Sequence, residues 1–195
     1  MVCSTQSGRH SAANATAVLA LLSLLKLTYA PATMVRALTA FAGVRQRFEI
    51  MGTQHKAAPV INDYAHNPEK IAAAMMTARE RFGSPLLAFF QPHGFRPLQF
   101  MRPALREVLQ STLRSDDKFF LLPVYYAGGS ASFQPTSEEV ALELAGAGLP
   151  VAAVTREQAE AEIAANATSP AILVMGARDS SLREWCQKVS RENEG

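Results

Sequence analysis

The sequence is poor in the residues that carry disulfide and zinc chemistry. Its 195 residues include only two cysteines, Cys3 and Cys186, which lie near opposite ends and form no C-x-x-C pair. The four histidines show no H-x-x-x-H spacing. These absences exclude a disulfide framework and argue against a zinc site. Two isolated cysteines are typical of a reducing compartment, so we expect a cytoplasmic protein.

Charge is also scarce. Charged residues make up 18% of the chain and the formal net charge is +2, whereas globular proteins average about 25% charged residues. A balance this close to neutral argues against nucleic acid and against an anionic membrane surface as partners. Apolar residues reach 48%, which suffices for the core of one ordinary domain, with or without an appendage.

No hydrophobic run is long enough to cross a bilayer. The most apolar stretch, residues 12–25, is too short and too interrupted for that role. Because a basic pair precedes it and Thr28-Tyr29-Ala30 follows it, the stretch also fits the signal peptide of a secreted α/β protein. Asn14, Thr16 and Ser23 interrupt the run and favour the other interpretation, a buried helix.

Beyond residue 58 short apolar runs alternate with segments of helical periodicity. Strands that are apolar throughout, separated by helices of this length, indicate βαβ units. We therefore predict an α/β fold, a Rossmann-like and mostly parallel sheet with helices on both faces, preceded by two helices. Predicted strands cover residues 44–51, 59–62, 86–90, 118–124, 151–154 and 171–175, and predicted helices cover residues 10–27, 31–41, 67–82, 98–113, 136–145, 156–165 and 180–191.

Polar residues collect where the predicted strands end. In open parallel sheets ligands bind at the carboxyl ends of the strands, near a switch in strand order. The segments that follow the strands are residues 62–66, 91–96, 125–129 and 176–179. Three of these four segments are dense in groups that bind ligands, so we predict a binding site at this edge of the sheet.

Five motifs occur in a fixed order along the chain. They are G-R-H-S-A-A-N-A at residues 8–15, F-A-G-V-R-Q-R-F-E at 41–49, N-D-Y-A-H-N-P at 62–68, F-Q-P-H at 90–93 and M-G-A at 175–177. In these motifs the chain resembles the Mur ligases, ATP-dependent amide-forming enzymes that build the peptide of bacterial cell-wall precursors. Within that family the motifs are most similar to those of the branch that adds L-alanine to UDP-N-acetylmuramate.

The resemblance implies a domain organisation. Family members have a UDP-sugar domain, a central ATPase-like domain and a C-terminal Rossmann-like domain, so residues 1–43 would be the last helices of the central domain and residues 44–195 the C-terminal domain. The sequence contains no G-x-x-x-x-G-K-[ST] phosphate loop, and the family's Mg²⁺ ligands also belong to the central domain. We therefore expect a fragment, a split gene product or an excised domain that is inactive alone.

The resemblance also implies nucleotide contacts. Asp63 matches an aspartate that accepts hydrogen bonds from the ribose hydroxyls of ATP, and Arg47 matches an arginine that reaches the ATP phosphates when the domains close. His66 would lie at the same edge, beside a helix start that suits anions, where we expect it to contact the nucleotide or its phosphates and, with Arg47, to take part in catalysis. The residues alone leave structural alternatives open: a turn or helix-capping role for Asp63, a loop-ordering role for His66 and a surface position for Arg47.

The substrate side departs from the family pattern. His93 would lie where the incoming amino acid binds. The L-alanine branch continues F-Q-P-H with R-[YF]-x-R, but here Gly94 and Pro97 replace both arginines. Arg96, one residue early, or Arg178, in place of the last glycine of M-G-A-G, or both, are expected to supply the cation that a substrate carboxylate needs. Alternatively, Arg178 pairs with its neighbouring aspartate or caps a helix, and Arg96 points to solvent.

These features predict the C-terminal part of a ligase that uses ATP and Mg²⁺ to join an amino acid, L-alanine by resemblance, to UDP-N-acetylmuramate. Its further partners would be the missing N-terminal and central domains. Two alternatives stay open: a ligase that adds a different amino acid or a short peptide, and a Rossmann-like binding module without catalysis.

Overall fold

The computed structural model describes residues 9–27, 29–52, 58–126, 128, 132–166 and 169–192. The chain forms two compact units, residues 1–45 and residues 46–195. The first unit contains helices α1 (Arg9–Leu24) and α2 (Pro31–Ala40). Both helices were predicted, and Pro31 lies in the first turn of α2, where its missing N–H costs nothing.

The expectation that the first helix is buried is wrong for this chain. No side chain of residues 11–24 in α1 is buried, and none in α2 is, because a helix that is apolar on most sides needs neighbours on most sides to bury it. None of the described helices has the length and apolarity that a membrane crossing requires. The exposed large apolar residues of this unit are Val18, Leu21, Leu24, Leu25, Leu27, Tyr29, Val35, Phe41 and Val44.

The second unit is an α/β sheet domain, as predicted. In its described residues, strands and helices alternate after a first short strand. The strands are β1 (Glu49–Met51), β2 (Val60–Asp63), β3 (Leu86–Gln91), β4 (Lys118–Leu121), β5 (Val151–Ala153) and β6 (Ala171–Gly176); the helices are α3 (Pro68–Phe82), α4 (Phe95–Thr112), α5 (Ser137–Gly146), α6 (Arg156–Ala165) and α7 (Ser180–Glu192).

The strand order is β1-β2-β6-β3-β4-β5, and every pair is parallel except β1 with β2. The last strand, β6, therefore lies between β2 and β3. This insertion is the switch in strand order, and it places the carboxyl ends of β2, β6 and β3 side by side. Asp63 aligns with Met175, and Gln91 aligns with Gly176.

Helices cover both faces of the sheet. One core cluster joins α3, α4 and α5 to one face, and the other joins α6 and α7 to the opposite face. β3 and β6 are buried along their whole length. On the second face Phe89 stacks on Phe120 at 5.2 Å and meets the edge of Trp185 at 6.1 Å between ring centroids. The uniformly apolar strands thus have the two-sided burial that their sequence predicts.

Local signals located most helix starts. Asn67 caps α3 by accepting a hydrogen bond from the amide of Lys70 at 3.0 Å. Thr136 and Glu139 form a reciprocal capping box at α5. The strand predicted over residues 44–51 is wrong in its first half, since residues 45–48 form a turn and only β1 is extended. Gln46 and Phe48 have positive φ values of 56° and 50° there, which no strand allows.

Candidate functional site

The candidate site lies at the carboxyl ends of β2, β6 and β3. Asp63 ends β2, and His66 follows three residues later. His93 lies two residues beyond the end of β3, and Arg178 two residues beyond the end of β6. Because these three strands are neighbours, the structure brings together side chains that are more than 100 residues apart in the sequence.

Asp63 holds the turn that carries Arg47. Its Oδ2 accepts a hydrogen bond from the amide of Phe48 at 2.7 Å, and its Oδ1 accepts one from the amide of Ala65 at 2.7 Å. The amide of Tyr64 donates to the carbonyl of Gln46 at 2.7 Å in the same region. The turn role foreseen as an alternative for Asp63 is therefore present.

Arg47 projects from that turn and is exposed. Its guanidinium carbon lies 5.3 Å from the ring centroid of Tyr64. The residues on either side, Gln46 and Phe48, have left-handed backbone conformations, which cost of order 1–3 kcal/mol each for residues other than glycine. Burial of the Phe48 side chain helps to hold this strained turn.

Sequence reasoning missed Glu49 and Arg183. Arg183 Nη2 donates to Glu49 Oε1 at 2.6 Å, and Arg183 Nε donates to Glu49 Oε2 at 3.0 Å. Glu49 Oε2 also accepts from the amide of Gln46 at 3.0 Å. No signal in the sequence could have paired these residues, because 134 positions separate them and both are ordinary surface residue types.

His66 is half-buried, and its Nδ1 lies 2.9 Å from the carbonyl oxygen of Tyr64. A carbonyl only accepts hydrogen bonds, so Nδ1 carries the proton, and in the neutral ring Nε2 is the acceptor. The His66 ring meets the rings of Tyr64 and His93 edge-on, at 5.5 Å and 5.2 Å between centroids. The loop-ordering role is therefore present here too.

His93 is half-buried, but its Nδ1 atom is fully buried and has no hydrogen-bond partner in the described part of the chain. Burial lowers the pKa of His93 below its ordinary value of 6.5, and the charges of His66 and Arg178 lower this pKa further. The imidazole is therefore neutral at pH 7 and can still donate or accept a hydrogen bond.

The two candidate arginines differ in their surroundings. Arg178 is exposed, has a left-handed backbone with φ of 71°, and forms no ion pair among the described residues. The expected alternative pairing with Asp179 does not occur, because Arg156 Nη2 binds Asp179 Oδ2 at 2.6 Å. Arg96 is exposed on α4, with its guanidinium carbon 5.5 Å from the ring centroid of Phe100 on the same helix.

Asp179 is engaged within the protein. Burial alone would raise its pKa, but hydrogen bonds from Ser181 and the charge of Arg156 outweigh burial and hold the pKa below its ordinary value. Asp179 therefore stays ionised and paired.

Aromatic side chains border the same edge of the sheet. Phe95, Tyr126 and Phe133 form a cluster with ring centroids 5.2 to 6.0 Å apart. Of the segment 125–129 that was predicted at this edge, residues 127 and 129 lie outside the described residues.

The sheet domain matches a known family. The sequence profile described as "Mur ligase, glutamate ligase domain" covers residues 46–178. The chain belongs to this Mur ligase family. A UDP-N-acetylmuramate–L-alanine ligase from Acidithiobacillus ferrooxidans is 34% identical over 92% of the chain, and one from Sinorhizobium medicae is 30% identical over 95%.

The fold agrees with that membership. The crystal structure of the UDP-N-acetylmuramate–alanine ligase from Thermotoga maritima superposes with a TM-score of 0.70 and 26% identity, covering 96% of this chain and 38% of that one. The chain likewise spans 38% of the length of the two relatives above. The resemblance first drawn from five short motifs is confirmed at the level of family and fold.

Proposed function

We propose that the chain is the C-terminal part of an ATP-dependent ligase that joins an amino acid, expected to be L-alanine, to UDP-N-acetylmuramate. The observation that carries this proposal is the convergence of Asp63, His66, His93 and Arg178 on three adjacent strand ends. The similarity to L-alanine ligases over more than nine-tenths of the chain supports it.

Asp63, Arg47 and His66 form the nucleotide side of the proposed site. ATP supplies the phosphoryl group that activates the acceptor carboxylate. The carboxylate of Asp63, at the end of β2, is a hydrogen-bond acceptor of the kind that ribose hydroxyls need. Arg47 carries a permanent charge on an exposed side chain, which suits phosphate oxygens and the charge that builds up on them in the transition state. His66 lies close to the start of α3, where backbone N–H groups favour anions.

The Mg²⁺ ligands are expected in the missing central domain. No group of three or more potential metal-binding side chains occurs in the described part of the chain, so no step is assigned to a metal here. The unit boundary after residue 45 and the family match from residue 46 support the proposed division near residue 44. Residues 1–43 would then belong to the central domain, whose other parts would cover their exposed apolar side chains.

A chimera tests the proposal. The chain would replace the matching 38% of the Acidithiobacillus ferrooxidans ligase, and phosphate release would be measured with UDP-N-acetylmuramate and each amino acid in turn. We expect release that depends on both substrates. The chain alone should show none, because it has no phosphate loop. A folded chimera that binds UDP-N-acetylmuramate but ligates no amino acid would favour the non-catalytic binding module.

A further inference from the structure

Arg47 lies between two residues whose backbone amides are held by carboxylates. On one side, the amide of Gln46 donates to Glu49 Oε2 at 3.0 Å. On the other side, the amide of Phe48 donates to Asp63 Oδ2 at 2.7 Å. The Arg47 side chain itself is exposed. The protein therefore fixes the base of this side chain and leaves the side chain at the surface.

The turn needs these contacts because its backbone is unfavourable. Gln46 and Phe48 have φ values of 56° and 50°, in the left-handed region that residues other than glycine rarely adopt. Such conformations persist only where the surrounding structure determines them, and they concentrate at functional sites. The hydrogen bonds to Glu49 and Asp63 are contacts of this determining kind.

Arg183 of α7 fixes the orientation of the Glu49 carboxylate. Its Nη2 donates to Oε1 at 2.6 Å and its Nε donates to Oε2 at 3.0 Å. A guanidinium that binds both oxygens sets the plane of a carboxylate as well as its distance, which a single ammonium group does not. Oε2 is also the atom that accepts from the amide of Gln46. Arg183 thus orients the group that holds one side of the turn.

The pair of Arg183 and Glu49 is not what docks α7 on the sheet. The two side chains remain 26% and 21% exposed, so water and salt weaken the attraction between their charges and the pair contributes modestly to stability. Its distinctive effect is on the geometry of the turn. The docking of α7 comes instead from buried residues that pack into the second core cluster, Leu182, Trp185, Cys186 and Val189.

We propose that Arg183 and Glu49 are positioning residues for Arg47. They hold the turn of residues 45–48 in the conformation that fixes the base of the Arg47 side chain, whose guanidinium carbon lies 5.3 Å from the ring centroid of Tyr64. This inference rests on the proposed function, which assigns Arg47 to the phosphates of ATP. A charge stabilises a transition state best when it is already in place, so a loosened turn lowers kcat even though Arg47 is present.

A double-mutant cycle in the ligase chimera tests this inference. The variants are Arg47→Ala, Arg183→Met and the two combined, and kcat and KM for ATP would be measured for each. Arg183→Lys keeps the charge but loses the two-point contact. Lys118→Met removes a more exposed ion pair, with Glu162, and is the matched control. Thermal unfolding would verify that every variant folds.

We expect Arg183→Met to lower kcat about tenfold and to change KM for ATP less than about twofold, because a displaced cation loses its effect on the transition state more than on ground-state binding. Arg183→Lys should give an intermediate kcat, and Lys118→Met should leave kcat unchanged. In the Arg47→Ala background, Arg183→Met should lower kcat no further, since both changes act through one guanidinium.

Three kinetic results would overturn the inference. The first is a double variant whose kcat falls by the product of the two single effects, which would show that Arg183 acts independently of Arg47. The second is an unchanged kcat in Arg183→Met. The third is ligation that Arg47→Ala leaves unchanged, which would remove the role of Arg47 while the ligase proposal stands.

The 195-residue chain alone separates failure of this inference from failure of the proposed function. Nuclear magnetic resonance relaxation would give the order parameters of the backbone amides at residues 46–48. We expect about 0.85, the value of a rigid backbone, in the wild-type chain and in Lys118→Met, and below about 0.6 at Arg47 in Arg183→Met. An equally rigid turn in Arg183→Met would refute the inference, whether or not the chimera ligates. A loosened turn beside a chimera that ligates no amino acid would support control of the turn by Arg183 and refute the ligase proposal.

Discussion

Arg183 of α7 binds both carboxylate oxygens of Glu49, and Glu49 in turn accepts a hydrogen bond from the amide of Gln46. The last helix of the chain thus supports the turn that presents Arg47. The pair is half-buried, and a two-point contact between guanidinium and carboxylate constrains orientation more than a single ion pair does. Asp63 holds the other side of the turn through the amide of Phe48.

Arg183→Met is therefore predicted to loosen this turn. We expect a loss of about 1 kcal/mol in the free energy of unfolding, because the contact is bidentate but partly exposed. Hydrogen exchange of the Gln46 amide should become faster. Urea unfolding and exchange measurements on the chain would check both effects. Lys118→Met, which breaks a more exposed ion pair with Glu162, is the control and should have a smaller effect; equal losses in both variants would contradict a special role for Arg183.

Asp63→Ala is predicted to affect both stability and nucleotide binding. It removes the acceptors for two backbone amides, those of Phe48 and Ala65, which should cost about 2 kcal/mol in unfolding free energy. In the ligase chimera it should also raise KM for ATP through the lost ribose contact. Asp63→Asn keeps one acceptor oxygen and should give intermediate values. A raised KM without any loss of stability would show that these backbone hydrogen bonds contribute nothing.

Arg47→Ala should separate catalysis from folding. The side chain is exposed and its described contact is with the ring of Tyr64, so unfolding free energy should change by less than about 0.5 kcal/mol. In the chimera kcat should fall at least about tenfold, because a charge that acts on the transition state contributes to kcat more than to KM. Arg45→Ala, an exposed arginine two residues earlier, is the control. The same kinetic pattern in Arg47→Ala and Asp63→Ala would refute the division of roles.

Sequence patterns predicted the parts of the fold that depend on local chemistry. Uniformly apolar strands and capped helices such as α3 follow from burial and backbone hydrogen bonding near each residue. The strand order does not follow from such local features, because the periodicity of a sequence says nothing about which strands are neighbours. The order β2-β6-β3 brings together the strand ends that His66, Arg178 and His93 follow, and only the structure shows that order.

The turn at residues 45–48 could not be foreseen either. Gln46 and Phe48 adopt left-handed backbone conformations although neither is glycine or asparagine. The intrinsic backbone preference of these residues therefore predicts a different conformation. Two hydrogen bonds override that preference. Asp63, which is distant in the chain, accepts one from the amide of Phe48. Glu49, which Arg183 holds in place, accepts the other from the amide of Gln46. The candidate residues were predicted from motifs, but the hydrogen bonds that hold them were not.

The last prediction concerns pH. Burial, together with the charges of His66 and Arg178, holds the pKa of His93 below its ordinary value of 6.5. In the unfolded chain His93 regains an ordinary pKa, so between the two pKa values the unfolded state binds more protons than the folded state. Stability then rises with pH through that interval. The contribution is complete above about pH 6.5 and is progressively lost as the pH falls towards the folded-state pKa.

Urea unfolding of the chain at a series of pH values from 7.5 down to 5 would measure this loss, and titration of the nuclear magnetic resonance signal of His93 would give its pKa directly. Asp179 also has a lowered pKa, but its ordinary value is 3.8, so its effect on stability lies at lower pH.

Arg178→Gly removes one of the charges that oppose protonation of His93. We therefore expect it to raise the pKa of His93 and to flatten the dependence of stability on pH. His93→Gln should abolish the part of that dependence that comes from this histidine. A His93 pKa at or above 6.5 in the wild-type chain would refute the lowered pKa, and a pKa that Arg178→Gly leaves unchanged would refute the contribution of Arg178 to it.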